Sequence, residues 1–221
     1  MSLQALQQIV TTCTACRLHE GRKKAVFGRG PEQAPLLIVG EAPSKPDDEA
    51  GQPFTGKEGD HLGELLDAAR VPREYAYLAN VLKCKPDGRF PEDECPTLCM
   101  GYLKKQIEVI KPFVIVLMGK WALHHVLFPN TGLSADPYMQ WVGKHMRRRD
   151  TFGDTRFAIS YGPYYLLRNK SPQDEELTLA TLSDAWMFAQ ARMDCTPAPA
   201  TPLEDIATTP PPMWQSRSLW R

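Results

Sequence analysis

The sequence predicts a three-layer α/β/α domain around a central, mostly parallel sheet of four strands. Three observations predict it. Short continuous apolar runs at residues 36–39 (LLIV) and 113–118 (FVIVLM) are bounded by proline and glycine, as strands buried on both faces are. Amphipathic helical stretches separate these runs, as the crossovers of a parallel sheet require. A chain of 221 residues, 43% hydrophobic and 24% charged, is long enough and apolar enough for one well-cored domain.

Each element follows in order. Leu3, Leu6, Ile9 and Val10 mark a short N-terminal helix. The run at 36–39 is the first strand, closed by Gly40; a polar loop follows to Gly56, then a helix from about Lys57 with Leu62, Leu65 and Leu66 on one face. Residues 75–81 alternate in bulk and read as a second strand. A helix over 99–110 turns Leu103, Ile107 and Ile110 inward and is broken by Pro112. The strand at 113–119 leads into a helix from Lys120 to about Leu127, whose His124 and His125 read as packing or surface histidines rather than ligands. Residues 130–140 form a loop, 157–161 the last strand, and about 173–193 the closing helix. The folded domain is therefore residues 1–193. Residues 194–221 form a tail, rich in Pro, Ala and Thr over 196–212, which is not expected to pack. Trp214 and Trp220 at its end suggest a docking peptide for a protein partner or a segment folded back on the body.

Composition bounds the function. Lys and Arg balance Asp and Glu at 26 each, so no global field recruits nucleic acid, and DNA binding needs a local basic patch. No apolar run approaches the ~20 residues that span a bilayer, and the N-terminus lacks the features of a secretory signal. The expectation is a cytoplasmic monomer that does not engage membrane. Its six cysteines then read as metal ligands or plain thiols rather than a disulfide framework.

Two constellations carry chemistry. The loop after the first strand holds Glu41, Asp47, Asp48 and the aromatic Phe54 at the edge where α/β sheets bind ligands; a solvated acidic loop is the plainer reading. Cys13 and Cys16 form a C-x2-C, with Cys84 and either Cys99 or Cys95 available to complete a four-cysteine site. Spacing alone does not separate zinc from iron–sulfur. Cys195 reads as a free thiol. The basic stretch 17–30 and the run 144–149, with Arg147, Arg148 and Arg149, are either solvated or phosphate-gripping.

The first constellation resembles a known motif. Gly40-Glu41-Ala42-Pro43, Asp47-Asp48 and Gly51-Gln52-Pro53-Phe54-Thr55-Gly56 are similar to the first motif of the family 4, iron–sulfur uracil-DNA glycosylases. Ser44 stands where that family has Gly, and Asp47 where Glu is common. Gly162-Pro163-Tyr164-Tyr165-Leu166-Leu167-Arg168-Asn169 is similar to its second motif, except that the family's histidine is Gly162 here. The likeness extends from about Leu3 to Gln190. It implies a [4Fe–4S] cluster on Cys13, Cys16, Cys84 and Cys99. It also implies a DNA substrate whose target base leaves the stack. Phe54 would stack on that base, Asn80 read its edge, and the Gly40, Ala42 and Pro43 turn supply backbone contacts. Glu41, Asp47 or Asp48 would orient water or stabilise the cationic sugar, while Tyr164, Tyr165, Leu166 and Arg168 would meet the strand.

The departure at Gly162 sets the expected substrate. The family's histidine stabilises the departing uracil anion; glycine offers no donor and enlarges the pocket. Asp87-Gly88-Arg89, where a family Asn is lost, loosens the opposite rim. The expectation is a glycosylase for bulky modified pyrimidines, such as the hydroxymethylated or glycosylated cytosines of phage DNA, acting in defence against phage. Ordinary uracil repair and an inactive DNA-binding module are the alternatives. A Rossmann-type nucleotide enzyme lacks the required G-x-G-x-x-G.

Overall fold

The computed structural model describes residues 1–92, 94–129 and 138–194, with the backbone alone of residues 149–150 and 203–205. Helix α1 (Leu3–Thr11) starts at Ser2, whose hydroxyl accepts the Ala5 amide, and buries Leu3, Leu6 and Val10. A short α2 (Leu18–Gly21) leads toward β1 (Leu36–Gly40). Then come α3 (Lys45–Ala50), α4 (Gly56–Ala68), β2 (Ala76–Asn80), α5 (Cys95–Ile110), β3 (Val114–Met118) and α6 (Lys120–Leu127). The remainder is β4 (His145–Arg147), α7 (Arg149–Phe152), β5 (Arg156–Ser160), α8 (Pro163–Asn169), α9 (Pro172–Met193) and β6 (Leu203–Asp205).

Among the described residues the sheet has six strands in the order β2-β1-β3-β5-β4-β6. The first four in that order run parallel, which is the expected core sheet. Every residue of β1, β3 and β5 is buried, which explains the unbroken apolar character of β1 and β3; β5 buries Arg156 and Ser160 at its two ends. The chain leaves β1 to one side for β2 and crosses back over it to β3, so right-handed connections put successive helices on opposite faces. Helices α4, α8 and α9 pack together in one layer, α1, α5 and α6 in the other. The order reverses between β1 and β3, and ligands bind α/β sheets outside the carboxyl ends of strands at such a point.

Two short strands extend the expected four. β4 pairs antiparallel with β5, and β6 pairs parallel with β4. Residues 145–147 of the basic run are therefore an inner strand of the sheet, between β5 and β6. Strand pairing buries His145 and Met146, and register sets Arg147 against Arg156 at the amino end of β5, opposite the ligand-binding end. Arg148 donates to the Leu127 carbonyl; the side chain of Arg149 lies outside the described residues. The tail was expected not to pack, yet three of its residues form β6. Cys195, most of the 130–140 loop and the terminal tryptophans lie outside the described residues. Among the described residues, no helix is long and apolar enough to cross a membrane.

Candidate active site and cysteine centre

A cleft of about 690 Å³ opens at the carboxyl ends of the parallel strands. Gly40 and Glu41 from the end of β1, Asn80 from β2, Met118 from β3, Lys120 from the start of α6, and Gly162 beyond β5 all line it. Ala42, Pro43, Asp47, Phe54, Tyr164 and Arg168 complete the expected set found there.

Close packing at Gly40 joins two of these groups. A Cβ at Gly40 would stand 2.4 Å from Asn80 Oδ1 and 2.8 Å from the Phe54 ring, so only glycine lets both approach the strand end. Asn80 is buried, and its carboxamide makes no hydrogen bond among the described residues, leaving its polar edge for a ligand. Phe54 holds φ at +54° and is a non-glycine residue in the left-handed region. Such a conformation costs of the order of 1–3 kcal/mol and persists where the surroundings fix it. Here Arg29 Nη2 donates to the Phe54 carbonyl at 2.9 Å.

The three carboxylates separate by environment. Glu41 Oε1 accepts the Trp121 amide at 2.9 Å, at the start of α6. Burial raises its pKa, which the Trp121 amide, the Lys120 charge and the Lys120 amide partly offset. Asp47 Oδ1 accepts from the Thr55 amide and hydroxyl, both at 2.7 Å, and Oδ2 from the Ser44 amide at 2.9 Å. These bonds fold the loop around the cleft. Asp48 does not join them: its carboxylate accepts the Lys23 and Lys24 amides and ties down the preceding chain. That removes it from the catalytic set. Lys23 pairs with Glu49, and Arg22 and Arg29 bond inward, so this basic stretch serves the fold.

The second motif divides in the same way. Tyr164 is 63% exposed at the cleft, while Leu166 is buried in the core and has no surface to offer DNA. Tyr165 stacks on Tyr161 with centroids 4.6 Å apart and donates its hydroxyl to Asp174, so its ring is engaged. Arg89 lines the cleft with Gly88, at the rim expected of it, and residues not foreseen also line it: Glu58, Phe90, Glu92, Lys120 and Trp121. Lys120 and Trp121 follow β3 directly, so the strand-end rule that singled out Glu41 applies equally to them.

The four expected cysteines converge. Cys13, Cys16, Cys84 and Cys99 line one small cavity between α1, the turn beyond β2 and α5. Cys95 is buried near it but does not line it. Arg22 Nη1 and Tyr102 Oη each donate to a sulfur at 3.1 Å, Cys84 and Cys13 respectively. Burial pushes the Cys99 thiol up to about 11, so losing its proton needs a bound cation. Lys83 is fully buried beside them, donating to the Asn80 carbonyl and to Gln106 Oε1, both at 2.7 Å. Among the described residues it has no carboxylate partner, so an anionic group in the cavity would neutralise it. No group of His, Cys, Asp or Glu among the described residues is disposed to hold a metal ion. A single ion draws its sulfurs to about 2.3 Å from one centre; a cubane spreads four thiolates over four irons. Four thiols suit either.

The sequence pattern of the uracil DNA glycosylase superfamily matches residues 27–186. The chain belongs to that superfamily. A type-4 uracil-DNA glycosylase of Thermotoga maritima is 33% identical over 191 residues, covering 84% of this chain and 94% of that protein. One from Pyrobaculum aerophilum is 35% identical over 176 residues, 79% of this chain and 89% of that protein. A third, from Archaeoglobus fulgidus, is 39% identical over 126 residues, 57% and 63% of the two chains. The family resemblance read from the two motifs thus holds over most of the chain, and members of the family hydrolyse N-glycosidic bonds in DNA.

Proposed function

We propose that the protein is a DNA glycosylase that releases a flipped-out pyrimidine bearing a bulky substituent, such as a hydroxymethylated or glycosylated cytosine of phage DNA, in defence against phage. The observation that carries this reading is the open space at Gly162. A Cβ there would have the Met118 carbonyl as its nearest neighbour, 3.8 Å away, and the backbone is ordinary, with φ at −80°. Neither strain nor crowding requires glycine, so what it contributes is room. Gly88 across the rim has nothing within 4 Å of a Cβ, but its φ of +88° is itself a reason for glycine. The cleft measures about 690 Å³, within the range of small-ligand pockets.

The chemistry balances as a hydrolysis. The bond from C1′ to the base nitrogen breaks, the base leaves with the electron pair, and water's oxygen becomes the hydroxyl at C1′. One proton of that water ends on the base. A cytosine-type base is a poor anion and needs a proton as it departs. Glu41, with its pKa raised by burial, suits that transfer. Asp47, fixed by three donors, suits stabilisation of the cationic sugar. Phe54 would stack on the base and Asn80 read its edge. Tyr164 and Arg168 are the parts of the second motif free to meet the strand, in place of Leu166. Cys13, Cys16, Cys84 and Cys99 would hold a [4Fe–4S] cluster, supplying a cross-link between the N-terminal segment, the turn after Asn80 and α5.

Ordinary uracil repair is the second reading, favoured by the type-4 relatives and by the grouping of Gly40, Phe54 and Asn80 in one cleft. Single-turnover release from uracil DNA separates the two. Loss of one donor to the leaving base costs ~100- to 1000-fold, so Gly162→His should excise uracil faster than wild type by a factor in that range. Fast uracil release by the wild type, unimproved by histidine, counts for ordinary repair.

A further inference from the structure

The cleft has a second aromatic surface that the chemistry above does not use. Phe90, on the loop after β2, and Trp121, in the first turn of α6, both line it and both are half-buried. Their rings stack with centroids 4.9 Å apart and planes 9° apart. His125, one helical turn beyond Trp121, lies against both, at 5.4 Å from Phe90 and 5.9 Å from Trp121. Burial, then the neighbouring His124, lowers the His125 pKa to about 4, so this third ring is neutral near pH 7. The wall is therefore aromatic, with the Lys120 ammonium over the Trp121 ring, 5.0 Å from its centroid, and its first-turn member is fixed by the bond from the Trp121 amide to Glu41. Around it stand exposed polar groups, Arg89, Glu92 and Lys120.

This wall belongs to a different layer from Phe54. Phe54 sits against the start of α4, where its carbonyl would meet a Cβ on Gly59, whereas Trp121 and His125 belong to α6 on the opposite face of the sheet. A base held by Phe54 and Asn80 thus leaves the Phe90–Trp121 wall for whatever that base carries. Aromatic faces pack against the C–H face of a pyranose, while a carboxylate and a guanidinium can bond its equatorial hydroxyls. A flanking nucleotide could stack there too. The groups exposed toward a strand, Tyr164 and Arg168, are on α8 in the other layer, which sets a flanking nucleotide away from the wall.

We infer that Phe90 and Trp121 form a second subsite, for a pyranose attached to the target base. The inference rests on the reading that the cleft takes a bulky modified pyrimidine. The test compares release of glucosylated hydroxymethylcytosine and of plain hydroxymethylcytosine from otherwise identical DNA, by wild type, Trp121→Leu and Phe90→Leu. Phe90 lies on a loop and leucine keeps its apolar contact, so this variant removes an aromatic face without disturbing α6; melting curves check both variants. The expected result is a loss on the glucosylated substrate exceeding that on the plain one by ~10- to 100-fold, chiefly in KM. Equal losses on both substrates, or none, would overturn the subsite and leave the modified-base reading standing. Release of uracil but of neither modified base by the wild type would overturn that reading and the subsite together.

Discussion

Gly119 and Glu41 are shaped to each other: a Cβ on Gly119 would stand 2.5 Å from Oε1 of Glu41. Gly119 also holds φ at +105°, a region that side chains rarely adopt. The turn from β3 into α6 thus exposes the Trp121 amide and leaves space for the carboxyl that binds it. Gly119→Ala should destabilise the fold by about 1 kcal/mol or more. It should slow base release by ~100-fold, since a misplaced catalytic group costs that much. Melting curves and single-turnover rates measure the two effects; an alanine variant with full activity would show that the seat of Glu41 is immaterial.

Glu41 also sets a pH dependence. Burial raises its pKa above the ordinary 4.5, so folding favours the protonated acid. That contribution to stability is complete below the unfolded value and is lost as pH rises through the folded one. Proton donation follows the same sign. Release of a cytosine-type base should fall as pH rises through the elevated pKa of Glu41. Glu41→Gln should be slow and should lose this limb of the profile. A wild-type rate that stays flat from acid to neutral pH removes Glu41 from the role.

The cysteine centre predicts colour and metal content. Purified protein should be brown, bleach on treatment with acid or dithionite, and contain about four irons per chain. Cys99→Ala should lose the iron and most solubility, whereas Cys95→Ala, outside the lining of the cavity, should keep the iron. Zinc in a colourless anaerobic preparation contradicts the assignment.

The strands buried on both faces, β1 and β3, are legible because nothing but a sheet core explains such short, unbroken apolar runs. β4 is not legible. Three residues within a run that carries Lys144 and three arginines read as a charged surface, and only pairing with β5 reveals that His145 and Met146 are buried. In the site, Gly40, Phe54 and Asn80 can be found from motif and strand end together. The retirement of Asp48 and Leu166 cannot, because adjacent residues of one motif point in different directions once the chain turns into α3 and α8. Phe90 comes to the cleft through a loop whose path no local pattern encodes, though its partner Trp121 occupies a strand-end position.

The tail offers a limited test of the domain boundary. Removing residues 196–221 deletes β6, a three-residue strand at the sheet edge. The truncated protein should fold and release base from short oligonucleotides, melting a few degrees lower, as loss of ~1 kcal/mol in a domain of this size implies. Unfolding on truncation would make the tail part of the core.

The central claim is that this cleft takes a bulky modified pyrimidine in place of uracil. Mass spectrometry of the free bases released from a mixture of uracil DNA and phage DNA rich in glucosylated hydroxymethylcytosine tests it most directly. The account predicts that the modified cytosine appears first and uracil lags far behind. Uracil alone, with the modified DNA intact, would contradict it and leave an ordinary uracil-repair enzyme.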